Sequence, residues 1–536
     1  MSEKAEKDPL LGNVANPMAN MESASAYPVV GVGDEVINRS YETPVCGKWM
    51  YFSVLASVIG TSFSYGYALG SLNTPTKVMQ GAYKNWYNIS SGGGDLSQSE
   101  ITFLWSATVS IYCLGGVLSG CVSGFMADKF GRKRCMLVLN IVQVIAVALM
   151  FSSIWLHSYG VIIAGRFIYG LYGGFATVVC PLYLNEISPE SMRGSVGSMN
   201  QMGVVVGLLL GQVIGLPQIL GSPDYFYYIL AIPIIPAVLH WAMLAVSPES
   251  PTWLYLKGND REGARAALEK LRDMSVMTSV DGELEDYHRL ELSAASEPQV
   301  SLKDMFTTYR WRPLAVASVM HASQQLGGIN AVIFYSTIIF LGAGLTHDAA
   351  QYATLSLGGI NIIMTLVSLV LVERLGRRTL HLYGMGGGFI SLALLSTFLL
   401  FQALPGVEWM SYLCIIFVAT YLIFWAVGPA NIPWIYTAEL FDMASRKWAI
   451  SIAIAVNWSC NFLVGVSFPS IQLAMQNYAF LPFMAIIAIC WTFLYSRALE
   501  TKGRSALSIT SHYKTVENIS TLPVEERRHY RTFATT

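Results

Sequence analysis

Residues 129–133 read Lys-Phe-Gly-Arg-Lys, and the pattern returns at residues 374–378 as Arg-Leu-Gly-Arg-Arg. Each copy is a short basic turn around a glycine between two apolar stretches. A match at nearly half the chain length indicates an internal duplication, and two further matches follow in the same order. They are Glu186 with Arg193, matched by Glu439 with Arg446, and Glu249 with Ser250, matched by Glu500 with Thr501.

The segments between these motifs are unusually apolar. Hydrophobic residues make up 53% of the chain and charged residues only 12%, whereas soluble domains average about 25% charged residues. A membrane-spanning helix needs roughly 20 apolar residues, and we find twelve such stretches. They lie near 49–72, 101–127, 135–156, 158–184, 195–220, 225–247, 312–342, 350–372, 379–403, 409–437, 448–470 and 475–496.

The duplication divides the twelve stretches into two sets of six. We therefore predict an all-α membrane protein with two pseudo-symmetric six-helix bundles and additional helices in its cytoplasmic loops. The predicted domains are a disordered tail (1–48), the first bundle (49–247), a helical linker (248–311), the second bundle (312–497) and a C-terminal tail (498–536).

Two shorter segments refine this plan. Within the linker, the apolar residues of 259–273 recur with helical spacing after Asn259 and Asp260, which are good helix caps. Residues 505–536 have little apolar periodicity and are predicted to be disordered.

Basic residues indicate the orientation. They cluster in 129–134, 374–378 and 446–447 and at Arg193, which all fall on one face of the predicted bundles, while the loops of the opposite face contain only two lysines. Excess Lys and Arg marks the cytoplasmic side. Both termini and the linker are thus predicted to be cytoplasmic.

The duplicated charges predict a pair of gates. In each half a carboxylate lies within reach of two arginines, and Arg guanidinium groups bind carboxylates with fixed geometry. We interpret these clusters as salt-bridge latches that hold the cytoplasmic side shut. The predicted latch residues are Arg132, Glu186, Arg193 and Glu249 in the first half, and Arg377, Glu439, Arg446 and Glu500 in the second.

Short motifs in a fixed order cover residues 51–504. Individually each is weak, but their order and their placement on the predicted helices are specific. They are Asp-Lys-Phe-Gly-Arg-Lys at 128–133, Gly-Arg-Phe at 165–167, Glu-Ile-Ser-Pro at 186–189, Pro-Glu-Ser-Pro at 248–251, Gln-Gln-Leu-Gly-Gly-Ile-Asn at 324–330, Gly-Pro at 428–429, Ile-Pro-Trp at 432–434 and Glu-Thr-Lys-Gly-Arg at 500–504.

This set resembles the sugar porter family of the major facilitator superfamily, most closely the animal facilitative glucose transporters. The resemblance implies the major facilitator fold and passive uniport of a hexose, with D-glucose as the expected cargo. Inositol, fructose and galactose remain alternative cargoes, and a sugar sensor without net transport is a less favoured function.

Buried amides are the candidate sugar ligands. A sugar needs side chains that both donate and accept hydrogen bonds, together with an aromatic platform. Intramembrane amides include Gln212 and Asn457, and we attribute Gln212 to hydrogen bonding between helices. The residues that the resemblance implies as sugar contacts are Gln201, Gln324, Gln325, Asn330, Asn361, Trp434, Trp458 and Asn461.

The sequence also departs from the family. Residues 321–323 read His-Ala-Ser where glucose-selective members carry Gln-Leu-Ser. This difference predicts that the seventh helix contacts the sugar differently. Asn431 replaces a proline, and we expect it to remove a kink and to add a sugar contact. Trp434 is retained, which favours glucose-like pyranoses over fructose.

Ala68 bears on the energy source. Proton-coupled sugar porters resemble this chain but carry Asp after the Gly-Tyr pair of the first helix, where Ala68 stands. Without a carboxylate there Arg166 lacks an evident acidic partner, and proton coupling is not expected. The sequence contains no G-x-x-x-x-G-K-[ST] loop, so transport driven by ATP hydrolysis is not expected.

Other function classes are disfavoured. The net charge of −1 argues against nucleic acid as a partner, no cysteine has metal-ligand spacing, and no catalytic constellation is evident. We expect neither an enzyme nor a cofactor or a metal site.

Two short signals concern processing. Asn88 begins an Asn-x-Ser sequon in the first extracellular loop, so glycosylation is expected there. Glu6, Leu10 and Leu11 form a weak acidic dileucine pattern for a sorting adaptor. The expected location is the plasma membrane, with a possible endosomal pool.

Overall fold

The computed structural model describes residues 44–296, 300–401, 410–504 and 506–521. Over these residues the chain is helical, and its extended pairing is a single isolated bridge between Cys46 and Arg272. The predicted sorting signal and most of the predicted N-terminal tail lie outside the described residues.

The first bundle contains six apolar helices, which we call the N-half. Their bounds follow the predicted stretches within several residues. They are α1 (Lys48–Gly70), α2 (Gln98–Phe130), α3 (Arg132–Leu156), α4 (Tyr159–Ile187), α5 (Glu190–Ile214) and α6 (Phe226–Val246).

The second bundle, the C-half, repeats this order. Eleven helices of the described chain are long and apolar enough to cross a membrane, and the shorter apolar helix α12 follows them. The predicted all-helical, twelve-helix fold is confirmed. The C-half helices are α7 (Trp311–Gly342), α8 (His347–Leu375), α9 (Arg377–Phe401), α10 (Tyr412–Leu440), α11 (Met443–Tyr478) and α12 (Leu481–Arg497).

Several of these helices are interrupted or irregular, and α1, α7 and α10 are among them. α1 contains a π-helical turn at Val58–Phe63. α7 is interrupted between Leu326 and Ile329, where Gly328 has a φ of 97° that glycine adopts without strain. α10 is interrupted between Val427 and Ile432. Interrupted helices release backbone carbonyls for other partners, as is common at transporter binding sites.

Small residues bring helices of the N-half into close contact. A Cβ atom placed on Gly170 of α4 would lie 2.0 Å from the carbonyl oxygen of Tyr112 in α2, and one on Gly66 of α1 would lie 1.9 Å from that of Val204 in α5. Such approaches allow backbone packing where no hydrophobic effect drives helix association.

The two faces of the bundle differ in chemistry. The charged face is formed by residues 128–134, 188–193, 374–378 and 440–447, and the far face lies opposite. On the far face, Asn73 after α1 donates to Ile333 O (2.8 Å) and Ser336 Oγ (2.7 Å) of α7. The two halves are thus joined directly on the far face.

The linker forms three helices beneath the N-half: Pro251–Leu256, Arg261–Leu271 and Asp281–Ser296. Asp260 caps the second by accepting from Gly263 N (2.8 Å), as the sequence predicted. The side chain of Arg272 binds Glu283 through both carboxylate oxygens (2.7 and 2.6 Å) and donates to Ile187 O (2.9 Å). The linker is therefore tied to the end of α4.

The prediction of disorder after residue 504 is wrong for the described part of that segment. Ala506–Thr521 is a helix. Its Ile509 and Tyr513 are buried, and the helix packs beside the end of α10. The two residues are four positions apart, so they lie on one helix face. Packing against the bundle supplies the stability that the isolated segment lacks.

Candidate functional site

Four amides form a hydrogen-bonded cluster between α7 and α11. Asn330 Nδ2 donates to Gln325 Oε1 (2.5 Å), Gln325 Nε2 donates to Asn457 Oδ1 (2.9 Å), and Asn457 Nδ2 donates to Gln324 Oε1 (2.5 Å). We call Gln324, Gln325, Asn330 and Asn457 the amide cluster. All four are at most 8% exposed.

The helix interruptions assemble this cluster. The break in α7 places Asn330 on its second segment, facing Gln325 on its first. The break in α10 frees the carbonyl of Ala430, which accepts from Gln324 Nε2 (2.7 Å). Asn457 was noted in the sequence only as a polar membrane residue, and its place in the cluster is a finding of the structure.

His321 extends the cluster at one end. Asn457 Nδ2 lies 3.2 Å from His321 Nδ1, and His321 Nε2 lies 3.2 Å from Thr437 Oγ1. The Thr437 hydroxyl donates to Pro433 O (2.7 Å), so it accepts from Nε2–H, and Nδ1 accepts from Asn457. His321 therefore stands beside the amides and fits the neutral Nε2–H tautomer.

Two tryptophans have different surroundings. Trp434 is half-buried, and its ring meets the His321 ring edge-on at 4.8 Å. Trp458 is 2% exposed and packs on Gly116 of α2, where a Cβ would come within 2.6 Å of its ring. Trp434 is thus the more accessible aromatic platform, while Trp458 fills the contact between the halves.

The remaining predicted sugar residues are spread over three helices. Asn461 Oδ1 accepts from Cys113 Sγ of the N-half (3.2 Å). Gln201 of α5 is half-buried. Asn361 of α8 is buried, and its side-chain oxygen has no hydrogen-bond partner among the described residues.

The expectation that Asn431 removes the kink is wrong. α10 is still broken at this position, because Gly428 and Pro429 precede it and Pro433 follows it. The Asn431 amide donates to Ser368 Oγ of α8 (3.2 Å). Asn431 therefore joins two helices of the C-half.

Arg166 is buried in the N-half without a carboxylate. Its Nη1 donates to the carbonyl of Ala68 (2.8 Å), and its guanidinium lies 4.7 Å from the centre of the Tyr112 ring. Its acceptor is the backbone carbonyl of Ala68, the residue that stands where coupled relatives carry aspartate. The cation is thus held by a backbone carbonyl and an aromatic ring.

The N-half charge cluster consists of Arg132, Glu186, Glu249 and Ser250. Arg132 binds Glu186 through Nε and Nη2, both at 2.8 Å. Ser250 Oγ donates to Glu186 (2.5 Å), and Glu249 accepts from the backbone N–H of Arg132 (3.0 Å) and Lys133 (2.9 Å). The carboxylate of Glu249 therefore caps the start of α3.

The C-half charge cluster is built the same way from Arg377, Glu439, Glu500 and Thr501. Arg377 binds Glu439 through Nε (3.0 Å) and Nη2 (2.9 Å), and Thr501 Oγ1 donates to Glu439 (2.6 Å). Glu500 accepts from the backbone N–H of Arg377 (2.7 Å). Burial raises the pKa of Glu500, but hydrogen bonds from the backbone N–H groups of residues 377–379 and of Lys502 outweigh it and hold the pKa below its usual range.

The second arginine of each predicted latch occupies a different place. Arg193 is exposed, and among the described residues it forms no ion pair with Glu186, whose two oxygens contact Arg132 and the Ser250 hydroxyl. Arg446 donates to Phe441 O (3.2 Å). For Arg193 the predicted bridge is therefore wrong in this structure.

Asn88, the predicted glycosylation site, lies on the helix Thr76–Ser91 after α1. Its side chain is half-buried and donates to Asp95 Oδ1 (3.2 Å). In the described part of the chain no group of three or more His, Cys, Asp or Glu side chains is placed to hold a metal ion.

The interior between the halves thus offers neutral amides, a histidine and an aromatic edge. These groups suit a polyhydroxylated neutral molecule, because each hydroxyl both donates and accepts. The family model described as sugar (and other) transporter matches residues 53–513. The chain belongs to this sugar transporter family.

Relatives of this sugar transporter are similar to it in sequence along most of its length. Facilitated glucose transporter protein 1 of Caenorhabditis elegans is 36% identical over 520 residues, covering 96% of this chain and 99% of the relative. Solute carrier family 2, facilitated glucose transporter member 4 of Mus musculus is 37% identical, covering 87% and 91%. The predicted family resemblance is confirmed.

Solved structures share the fold of this sugar transporter. The proton:xylose symporter XylE bound to 6-bromo-6-deoxy-D-glucose aligns with a TM-score of 0.70 at 22% identity, covering 87% of this chain and 99% of that one. The inward open XylE from E. coli aligns with a TM-score of 0.68 at 21% identity, covering 86% and 99%. The fold is that of the major facilitator superfamily, and the chain is a multi-pass membrane protein.

Proposed function

We propose that this chain is a uniporter that carries a hexose, D-glucose first among them, down its gradient by alternating access. The amide cluster carries the proposal: four buried amides joined in one network, lying where α7 and α10 are interrupted. Relatives named as facilitated glucose transporters support the substrate class.

Arg166 and Ala68 support the passive mode. The guanidinium is bonded to the Ala68 carbonyl instead of a carboxylate, so no acid at this position can take up and release a proton as the halves move. The carrier acts without a cofactor, a metal or a catalytic step.

The charged face is proposed to be cytoplasmic, with both termini on that side. Its basic residues follow the rule that Lys and Arg remain inside. The plasma membrane is the proposed residence, with Asn88 glycosylated on the far, extracellular face. The first and second bundles then move about the site between them, with the linker and the C-terminal segment below.

The structure bears on the gate mechanism. The far face is joined through Asn73, while Glu186 and Glu439 each pair with the arginine of their own half. We infer that these clusters keep each half rigid on the cytoplasmic side and meet across the halves when that side closes.

The function is tested with purified protein in proteoliposomes. Uptake of D-glucose, D-galactose, D-fructose and inositol should show saturable equilibration, with D-glucose preferred. His321 replaces a glutamine of glucose-selective relatives beside the amide cluster, so galactose or inositol as the best substrate is the specific alternative. Failure to move any of them would refute the proposal.

Gln325→Ala tests the site. Loss of an amide that pairs with both Asn330 and Asn457 should weaken sugar binding by about 1–3 kcal/mol. Gln143→Ala is the matched control, because Gln143 is a buried amide between α3 and α6. Wild-type uptake kinetics in Gln325→Ala would reject the site.

Coupling is tested with an imposed inward proton gradient and a pH-sensitive dye inside the vesicles. Sugar should equilibrate without accumulating, and the lumen should not acidify when sugar enters. Accumulation above the external concentration would reject uniport.

A further inference from the structure

Gln212 lies at the contact between the two halves. It is on α5, eleven residues after Gln201, which is three helical turns on the same helix face and about 16 Å closer to the far face. Its backbone carbonyl accepts from Thr74 Oγ1 (2.9 Å). The side chain is 3% exposed.

The side chain of Gln212 crosses to α8 of the C-half. A Cβ atom placed on Gly358 of α8 would lie 2.9 Å from Gln212 Oε1. Only the missing side chain of Gly358 leaves room for the amide there. Asn361 follows Gly358 by three residues, which places both on the same side of α8.

Both amide oxygens lack hydrogen-bond partners within the described chain. They are Gln212 Oε1 and Asn361 Oδ1, on side chains that are 3% and 4% exposed. A buried acceptor left unpaired destabilises a protein, so hydrogen bonding between helices, our prediction for Gln212, does not account for this arrangement. Two unpaired acceptors from opposite halves instead favour a ligand that brings its own donors.

We propose that Gln212 supplies an additional hydroxyl acceptor for the transported sugar on the far-face side of the amide cluster, alongside Asn361, which the family resemblance already implies as a sugar contact. This inference rests on the proposed function. The amide cluster uses its acceptors internally, because Gln324, Gln325 and Asn457 accept from one another or from Asn330. Gln212 and Asn361 supply acceptors that the cluster lacks, and a sugar hydroxyl donates to each. Gln212 is thereby a specificity-determining residue.

The test combines protein variants with sugars that lack single hydroxyls. Wild type, Gln212→Leu and Asn361→Leu are reconstituted, and the inhibition constants of D-glucose and of its 1-, 2-, 3- and 6-deoxy analogues are measured against labelled D-glucose uptake. Each variant should raise the inhibition constant of D-glucose about tenfold, as expected for loss of one ligand hydrogen bond. For one deoxy analogue the constant should be the same in variant and wild type, because that hydroxyl has already been removed.

Gln143→Leu is the control. Gln143 is also a buried glutamine, but it lies between α3 and α6, where its Nε2 donates to Pro233 O (2.9 Å). This variant should lower the thermal unfolding midpoint and leave every inhibition constant unchanged. Gln212→Met, with similar volume and a more flexible chain, replaces Gln212→Leu if the latter does not fold.

The outcomes separate the inference from the proposed function. Suppose that wild type transports sugar, but that the variants leave every inhibition constant unchanged or shift those of all analogues by the same factor. That result would refute only the additional hydroxyl acceptor. An equal shift in Gln143→Leu would also refute it. Wild type that moves no sugar or inositol would refute the proposed function.

Discussion

The two charge clusters share a plan but differ in burial. In the N-half, the side chains of Arg132 and Glu186 are 6% and 13% exposed, and the guanidinium binds both carboxylate oxygens. In the C-half, those of Arg377 and Glu439 are 12% and 29% exposed, and both contacts go to the same oxygen of Glu439. One duplicated motif thus gives two ion pairs that differ in burial and in contact geometry.

The linker accounts for part of the difference. Trp253 of its first helix donates to Asp128 O (2.8 Å), and its ring lies close to Gly131 beside the N-half charge cluster. Burial strengthens the attraction between paired charges, but it also makes either charge costly to leave alone. The N-half cluster should therefore tolerate neutral substitutions less well than the C-half cluster.

The largest effect is expected from Glu186→Gln. It removes the buried counter-charge of Arg132 and leaves the half-exposed carboxylate of Asp128, 3.1 Å from Nη2, as its remaining ion pair. Breaking a buried pair costs about 3–5 kcal/mol. Glu439→Gln should cost about 1–3 kcal/mol, since that carboxylate is more exposed. Thermal unfolding followed by tryptophan fluorescence measures both, and equal losses would show that burial does not separate the clusters.

A smaller difference is expected between Ser250→Ala and Thr501→Val. Each variant removes a hydroxyl that donates to a carboxylate, which is worth about 1.5–3 kcal/mol. Ser250 also caps the helix Pro251–Leu256 by accepting from Trp253 N (3.1 Å), so its loss should cost about 1 kcal/mol more. If Thr501→Val is the more destabilising variant, the linker does not support the N-half cluster.

Acidification should weaken the C-half cluster through Glu500. Its pKa in the folded chain lies below the ordinary value of 4.5, so its stabilising effect is complete above that pH and is lost as pH falls through the folded pKa. The thermal midpoint of wild type should drop below about pH 4.5, and Glu500→Gln should show a shallower drop. Identical acid profiles for the two proteins would contradict this role.

The smallest effects concern the second arginines. Arg193→Ala should change the stability by no more than about 0.5 kcal/mol, because the side chain is exposed. Arg446→Ala removes hydrogen bonds to Phe441 O and should cost about 1 kcal/mol. A large loss for Arg193→Ala in the same unfolding measurement would restore the symmetric latch.

The sequence predicted the repeat, the helix count and most of the polar interior. The duplication was predicted from three matches in order, and in the first of them the glycines of the two turns share a backbone conformation, with φ of 93° at Gly131 and 89° at Gly376. Helix spans could be predicted because lipid requires long apolar stretches. Ion pairs of Arg132 with Glu186 and of Arg377 with Glu439 were also predicted, and the structure contains them.

Other features could not be predicted in the same way. The C-terminal helix depends on burial of Ile509 and Tyr513 against the C-half, which composition does not encode. The place of Asn457 in the amide cluster depends on the α7 and α11 contact. For Arg193, the duplicated spacing predicted a bridge to Glu186, whereas that carboxylate is bound by Arg132 and Ser250.

The amino-acid sequence by itself determined that this chain is a duplicated, membrane-spanning sugar transporter, because hydropathy and motif order are properties of the linear chain. The tertiary structure alone decided which amides meet, since hydrogen-bond partners such as Gln325 and Asn457 come from helices far apart in sequence. It also decided that Gln212 lies against α8 and that the side-chain oxygens of Gln212 and Asn361 lack partners among the described residues, because pairing depends on three-dimensional contacts and the sequence states only that an amide is present.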